Sequence, residues 1–254
     1  MADGRESGTP LGLRALGDAE TVEARVGRLD WQAIAQDLDR LGYATTPALL
    51  SPSECRALRD AYTDPSLFRS RIEMARYRFG EGEYQYFAEP LPDLVASLRR
   101  LLYEPLAVIA NRWSKVLQQD AHYPDRLDEF LALCRSHGQA RPTPLLLRYE
   151  TEGYNCLHQD LYGPVHFPLQ VTCLLSEPGQ DFQGGEFLLV EQRPRAQSRG
   201  HVVTLGQGAC VVFPVRERPV PSKRGFARVR IRHGVSRLRS GQRMALGIIF
   251  HDAT

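Results

Sequence analysis

Two hydrophobic rhythms divide this chain. Through the first half, apolar residues recur every three to four positions; beyond residue 141 they alternate. Asp30 caps a helix whose Trp31, Ile34, Leu38 and Leu41 share one face, and Gly42 ends it. Ser51, with Glu54 three residues on, makes a capping box for a second helix through Tyr62. A third is predicted over 92–103, continuing past a kink at Pro105 to Leu117. A fourth is predicted over 123–137, with Leu127, Phe130, Leu131 and Cys134 buried. The aromatic, Gly-containing stretch 76–87 reads as irregular or as short strands.

After Arg141-Pro-Thr-Pro144 the signals become strands, over 145–150, 167–175, 186–191, 201–205, 209–213, 227–233 and 243–250. Turn residues separate them, among them Gly184-Gly185, Gly206-Gln-Gly208 and Ser240-Gly241. Many short strands with Gly/Pro punctuation predict a sandwich or barrel rather than a βαβ array. The fold class is α+β with a mainly β core. The division expected is a flexible tail over 1–28, a helical lobe over 29–140 and a β core over 141–254.

Composition narrows the classes. No apolar run approaches the roughly 18–20 residues of a membrane-spanning helix, and Met1 to Gly17 lacks the apolar core of a secretory signal. Five scattered cysteines (Cys55, Cys134, Cys156, Cys173, Cys210), never in a C-x-x-C pair, argue against a disulfide framework or a zinc cluster. A reducing cytoplasm is the compartment expected. Net charge is +2, yet residues 181–254 hold 13 Lys/Arg against 5 Asp/Glu. That basic C-terminal part suits a polyanionic substrate, or equally a solvated Arg-rich sheet face.

The candidate chemistry lies in the β half. In His158-Gln-Asp160, residues i and i+2 of an extended segment point one way, so an imidazole and a carboxylate converge. The bland alternative is a His–Asp hydrogen bond on a loop. In Ala227-Arg-Val-Arg-Ile-Arg-His233, alternation turns Val229, Ile231 and His233 inward and the three arginines outward. A lone inward histidine is more often a core residue. Two histidines and one carboxylate, however, form the facial triad that holds non-haem iron(II) with open positions. Arg243 shares a strand face with Ala245 and Gly247, whose small size leaves room for an anion; an arginine at a turn is the equal alternative. Tyr149 ends the first strand of this region, as a hydroxyl donor to the same cavity or as a rim tyrosine. His251-Asp252 is set aside because strand neighbours face opposite ways, and His166 because the triad is complete without it. Arg193, Arg195 and Arg199 form a basic loop, against a polyanion or simply in solvent.

Together His158-x-Asp160, His233 and Arg243 resemble the iron(II)/2-oxoglutarate-dependent dioxygenase superfamily. A closer resemblance, from about Asp30 to Thr254, rests on several runs. They are Arg141-Pro-Thr-Pro-Leu-Leu-Leu-Arg-Tyr149, Leu157-His-Gln-Asp-Leu-Tyr-Gly163, Asp181-Phe-Gln-Gly-Gly-Glu-Phe187, Arg193-Pro-Arg-Ala-Gln-Ser-Arg199, Arg232-His-Gly-Val-Ser236 and Leu246-Gly-Ile-Ile-Phe-His-Asp252. They resemble a bacterial oxygenase family named for a presumed role on alkylated or damaged DNA. The resemblance implies a double-stranded β-helix, or jelly roll, with the helical lobe packed on it. It implies iron(II) on His158, Asp160 and His233, and 2-oxoglutarate on Arg243 with help from Tyr149. Dioxygen is the other reactant, and ascorbate enters as an accessory.

Three functions follow as expectations. The first is hydroxylation or oxidative demethylation of single-stranded or damaged nucleic acid, with residues 76–87 as a substrate lid, against the slightly favoured alternative of a packed linker strapping the helical lobe to the barrel. The second is hydroxylation of a protein side chain of prolyl type, or of a small molecule. The third is a non-catalytic metal-binding jelly roll, which would have no use for Arg243. Neither a membrane nor an obligate protein partner is called for.

Overall fold

The computed structural model describes residues 20–193, 195–223 and 225–254. Its helices are α1 (Val22–Gly27), α2 (Trp31–Arg40), α3 (Pro52–Ala61), α4 (Asp93–Val116) and α5 (Leu127–Ser136). Its strands begin with β1 (Ala44–Ala48), β2 (Phe68–Glu73), β3 (Gly80–Glu81), β4 (Glu83–Phe87), β5 (Leu145–Tyr149) and β6 (Tyr154–His158). Next come β7 (Leu169–Leu174), β8 (Phe182–Gly184), β9 (Phe187–Gln192), β10 (Arg199–Val203) and β11 (Ala209–Pro214). The chain closes with β12 (Glu217–Ser222), β13 (Gly225–Val235), β14 (Leu238–Gly241) and β15 (Arg243–Ile248).

The strands form a seven-stranded sheet in the order β1-β11-β7-β15-β5-β4-β2, facing a smaller one ordered β10-β9-β13-β6-β3, with β12 on β13. Phe187, Leu189, Ile231 and Val235 of the small sheet pack with Tyr149, Leu174, Val211 and Phe213 of the large one. The opposite face of the large sheet packs Val171, Cys173, Leu246 and Ile248 against the helices. Its central strands are therefore covered on both sides, and β15 is buried at every position. β13 keeps one wet face, so its burial alternates.

Local chemistry sets the helices. Asp30 accepts from Ala33 N–H, and Ser51 and Glu54 close the capping box of α3. α4 runs through Pro105 and buries Leu94, Leu98, Leu102, Leu106 and Ala110 along one stripe. Arg99 also lies on its buried side, 1% exposed, donating to the Ile249 and Phe250 carbonyls and to Asp252 Oδ1. That ties the longest helix to the end of the chain. Of the described helices, none is long and apolar enough to cross a membrane.

Four expectations change. The expected tail contains α1, which packs Val22 and Val26 into the helical core; residues 1–19 of it lie outside the described residues. The boundary at 141 does not separate two units, because β1, β2 and β4 all belong to the seven-stranded sheet. The fourth helix starts at Leu127, since Asn111 holds both the N–H and the C=O of Tyr123. Cys173 and Cys210 form a disulfide, where five unpaired cysteines were expected; adjacent strands make them direct partners with Cα atoms 4.0 Å apart.

Replacing Arg99 with Met should strand the Asp252 carboxylate and two carbonyls in the core. A loss of about 3–5 kcal/mol is expected, read as a lower urea midpoint. An unchanged midpoint would show that α4 is not pinned in this way.

Candidate active site

β6 lies near the open edge of the small sheet, and its residues are half-buried or exposed, which hides it from a hydrophobic pattern. β13 pairs with it antiparallel, His233 opposite His158. A Cβ on Gly234 would come 2.6 Å from the Asn155 carbonyl oxygen, so glycine permits this close approach just past His233. Val229, Ile231 and His233 are buried and Arg228, Arg230 and Arg232 exposed, as alternation predicts.

Asp160, in the turn after β6, meets both histidines. His233 Nε2 lies 3.2 Å from Oδ2 and His158 Nε2 lies 3.5 Å from Oδ1. One ligand atom from each residue fits within 4.8 Å of the others. His158 Nδ1 is 2.8 Å from the Cys156 carbonyl, which only accepts; Nδ1 therefore carries the hydrogen, and the Nε2 lone pair faces Asp160. Burial pushes the Asp160 carboxyl up, but His233, His158 and the Tyr162 hydroxyl more than offset it and hold it well below the usual range. Burial and the neighbouring His158 pull His233 down, despite Asp160. The cluster offers two imidazoles and a carboxylate, a donor set that fits iron(II). At the mouth His158 is 34% exposed, whereas His233 is 9%.

The triad lines a cavity of about 180 Å³ together with Tyr149, Arg243, Ala245 and Gly247. Arg243 begins β15 opposite Tyr149 on β5. It is buried, its Nε has no hydrogen-bond partner among the described residues, and its guanidinium carbon lies 5.8 Å from the Tyr149 ring centroid. Burial pulls its pKa down, with Tyr149 and Glu186 opposing. Burial pushes the Tyr149 phenol up to about 12, against Arg243 and Asn155. The phenol accepts from Asn155 Nδ2 at 3.2 Å and keeps its own hydrogen to donate.

The sequence reading missed Tyr162, whose hydroxyl donates to Asp160 Oδ1 at 2.7 Å. Its only signal was its place two residues after the carboxylate. It also missed Asn155, which lines the cavity, and took Tyr84, another lining residue, as part of the lid. The stretch 76–87 divides. Residues 83–87 form β4 inside the large sheet, so Tyr84 is wall rather than lid, while Tyr77 and Phe79 are exposed, with stacked rings 5.5 Å apart. His251 and Asp252 part company as expected, His251 accepting from Phe167 N–H and Asp252 from Arg99. Arg193 pairs with the buried Glu191.

Comparison with known proteins agrees with this geometry. The Pseudomonas putida prolyl-4-hydroxylase superposes with a TM-score of 0.54 at 16% identity, covering 88% of this chain and 100% of that one. A 2OG-Fe(II) oxygenase family oxidoreductase from Burkholderia pseudomallei gives 0.52 at 15%, covering 89% and 93%. At such identities the likeness concerns the fold, and the fold is their jelly roll. In sequence, protein Rv2227 of Mycobacterium tuberculosis is 52% identical over 167 residues, 66% of this chain and 72% of that protein. Residues 82–253 match the family Oxygenase-NA, described as "Oxygenase, catalysing oxidative methylation of damaged DNA". The chain belongs to that family and is an oxygenase.

Proposed function

We propose that His158, Asp160 and His233 hold the iron and that Arg243, assisted by Tyr149, binds the distal carboxylate of 2-oxoglutarate. We propose further that the substrate hydroxylated or oxidatively demethylated is an alkylated base in single-stranded or damaged nucleic acid. The observation that carries the reading is the meeting of three ligand side chains from β6, its turn and β13 in one cavity with a buried, unpaired arginine.

When bound, iron(II) and 2-oxoglutarate supply oxidative decarboxylation to succinate and carbon dioxide, leaving one oxygen atom of O2 for a substrate C–H bond. This chain's residues position and shield that chemistry. Tyr162 occupies one lone pair of Asp160 Oδ1 and fixes the carboxylate plane. Arg243 offers a planar fork to a carboxylate in a dry site, where an unpaired charge is costly and a paired one strong. Leu145, Leu147, Phe187, Val235 and Ile249 form apolar walls that exclude water.

The substrate reading rests on the rim as well as on the family description. Tyr77 and Phe79 are 56% and 46% exposed, with nearly parallel rings, and Phe79 lines the cavity. Such a pair is a surface on which a base can stack. Arg76 and Arg78 flank it, and Arg228, Arg230 and Arg232 stand out from β13. Residues 76–82 are thus the part of the expected lid that remains. The reading carries a compartment with it: ferrous iron and three free cysteines suit a reducing cytoplasm, and the buried Cys173–Cys210 pair is shielded from soluble reductant.

Four outcomes are expected. Succinate should form from 2-oxoglutarate with iron(II) and vanish in His158→Ala. Tyr162→Phe should weaken Mn(II) binding by roughly 10–100-fold; unaltered affinity would remove Tyr162 from the metal's support. Arg243→Met should raise the KM for 2-oxoglutarate by at least tenfold, and an unchanged KM would refute its role. A single-stranded oligonucleotide should bind with an affinity that falls steeply with salt, and Tyr77→Ala with Phe79→Ala should weaken it further. Salt-independent binding, or modification of peptides alone, would turn the substrate reading to a protein side chain.

A further inference from the structure

One polar side chain in the cavity has no part in the roles above. Gln170 lies on β7, is 2% exposed, lines the cavity, and its Nε2 has no hydrogen-bond partner among the described residues. It is there by alternation: Leu169, Val171 and Cys173 pack toward the helices, while Leu174 packs inside the barrel and Gln170 and Thr172 line the cavity. A buried amide donor left unpaired is costly, so it is a group that a ligand oxygen relieves.

Register places Gln170 at the triad end. Its Cα partner on β11 is Phe213, whose ring centroid is 4.8 Å from that of His233. Arg243 lies toward the other end. Thr172 pairs with Gly247, and from Gly247 the strand runs roughly 13 Å back to Arg243, at about 3.3 Å per residue. Gln170 lies two residues beyond Thr172 in the opposite direction. The two donors therefore bracket the cavity, both on the large sheet and facing the small sheet that carries the histidines.

A 2-oxo diacid has two carboxylates. With one on Arg243, the other, beside the keto carbon, comes to the triad end. There the unpaired amide of Gln170 faces it from the opposite wall, without competing for the metal ligands. We propose that the Gln170 amide donates to the carboxylate adjoining the keto group, so that the cosubstrate is held at both ends. This rests on the cosubstrate reading above.

The test uses full-length protein loaded with Mn(II) and compares two probes, 2-oxoglutarate and pyruvate, which keeps the 2-oxo carboxylate and lacks the distal one. Gln170→Leu should weaken both by roughly tenfold or more, the scale of a hydrogen bond to a charged group. Arg243→Met should weaken 2-oxoglutarate alone. Mn(II) affinity should not change in Gln170→Leu, and its thermal stability without ligand should be at least that of the parent, since an orphan donor is removed. Gln170→Glu, of the same shape, should bind both probes more weakly than the parent, and serves should the leucine variant not fold. If Gln170→Leu binds 2-oxoglutarate as tightly as the parent while Arg243→Met does not, the Gln170 assignment is overturned alone. If the parent with Mn(II) binds no 2-oxoglutarate, the cosubstrate reading falls and the assignment with it.

Discussion

The antiparallel pairing of β13 with β6 is the constraint on which the centre depends. It sets His233 opposite His158 and brings Asp160, two residues on, between them. Strand side chains alternate with a period of two, so a slip of one residue would turn His233 outward and Arg232 inward. The cost of that slip protects the register. It would expose Val229 and Ile231 and drive three guanidinium groups, those of Arg228, Arg230 and Arg232, into an apolar barrel without partners. β13 is held on its other edge too, paired with β9 continuously from Arg230 to Val235. The arginines that make the outer face basic thus also keep His233 facing in.

Charge inside the barrel is sparse and polarised. Asp160 lies at one end, its carboxyl held well below the usual range among two imidazoles and a phenol, and Arg243 is buried toward the other, its Nε without a partner among the described residues. Apolar walls and neutral polar groups separate them. In so dry a space each charge acts strongly on a ligand. An anionic group is drawn to Arg243 and repelled by Asp160, so the layout gives the cavity a direction along which an elongated anion would align. Gly247 and Ala245 serve the same arrangement by size, leaving the floor of the cavity clear between its ends.

How much of this the sequence revealed depends on where each element lies. Strands buried on both faces, such as β7 and β15, announce themselves as apolar runs, and β13 by strict alternation. The helices were legible through Asp30, Ser51 and Glu54, whose capping bonds are local. Edge elements were not. β1 contains Pro47, β2 reads Phe-Arg-Ser-Arg-Ile-Glu, and β6 is half-wet, so none has an apolar face long enough to register. The triad and Arg243 were legible because alternation decides direction. Tyr162, Asn155 and Gln170 were not, since a polar residue on a strand or turn has no periodic signature until the partner strands are known. The Cys173–Cys210 pair was hidden for the same reason, because register alone makes the two residues neighbours.

The two sheets carry unequal burdens. The large one is clamped between the barrel interior and the helices, tied at Arg99, and presents Tyr149, Arg243, Thr172 and Gln170 from its covered central strands. The small one has a wet outer face and carries the proposed metal ligands next to the mouth. On the proposed reading, the cosubstrate common to every turnover is read by the buried wall. The varying substrate is then met by the open rim, where Tyr77, Phe79 and the half-exposed His158 lie. Substitutions along the rim would then alter what is oxidised while the proposed 2-oxo acid walls stay as they are. This division is why the family's fold and reaction class are easier to read than its substrate: the first are written in buried positions whose chemistry is forced, the second in exposed ones whose chemistry is not.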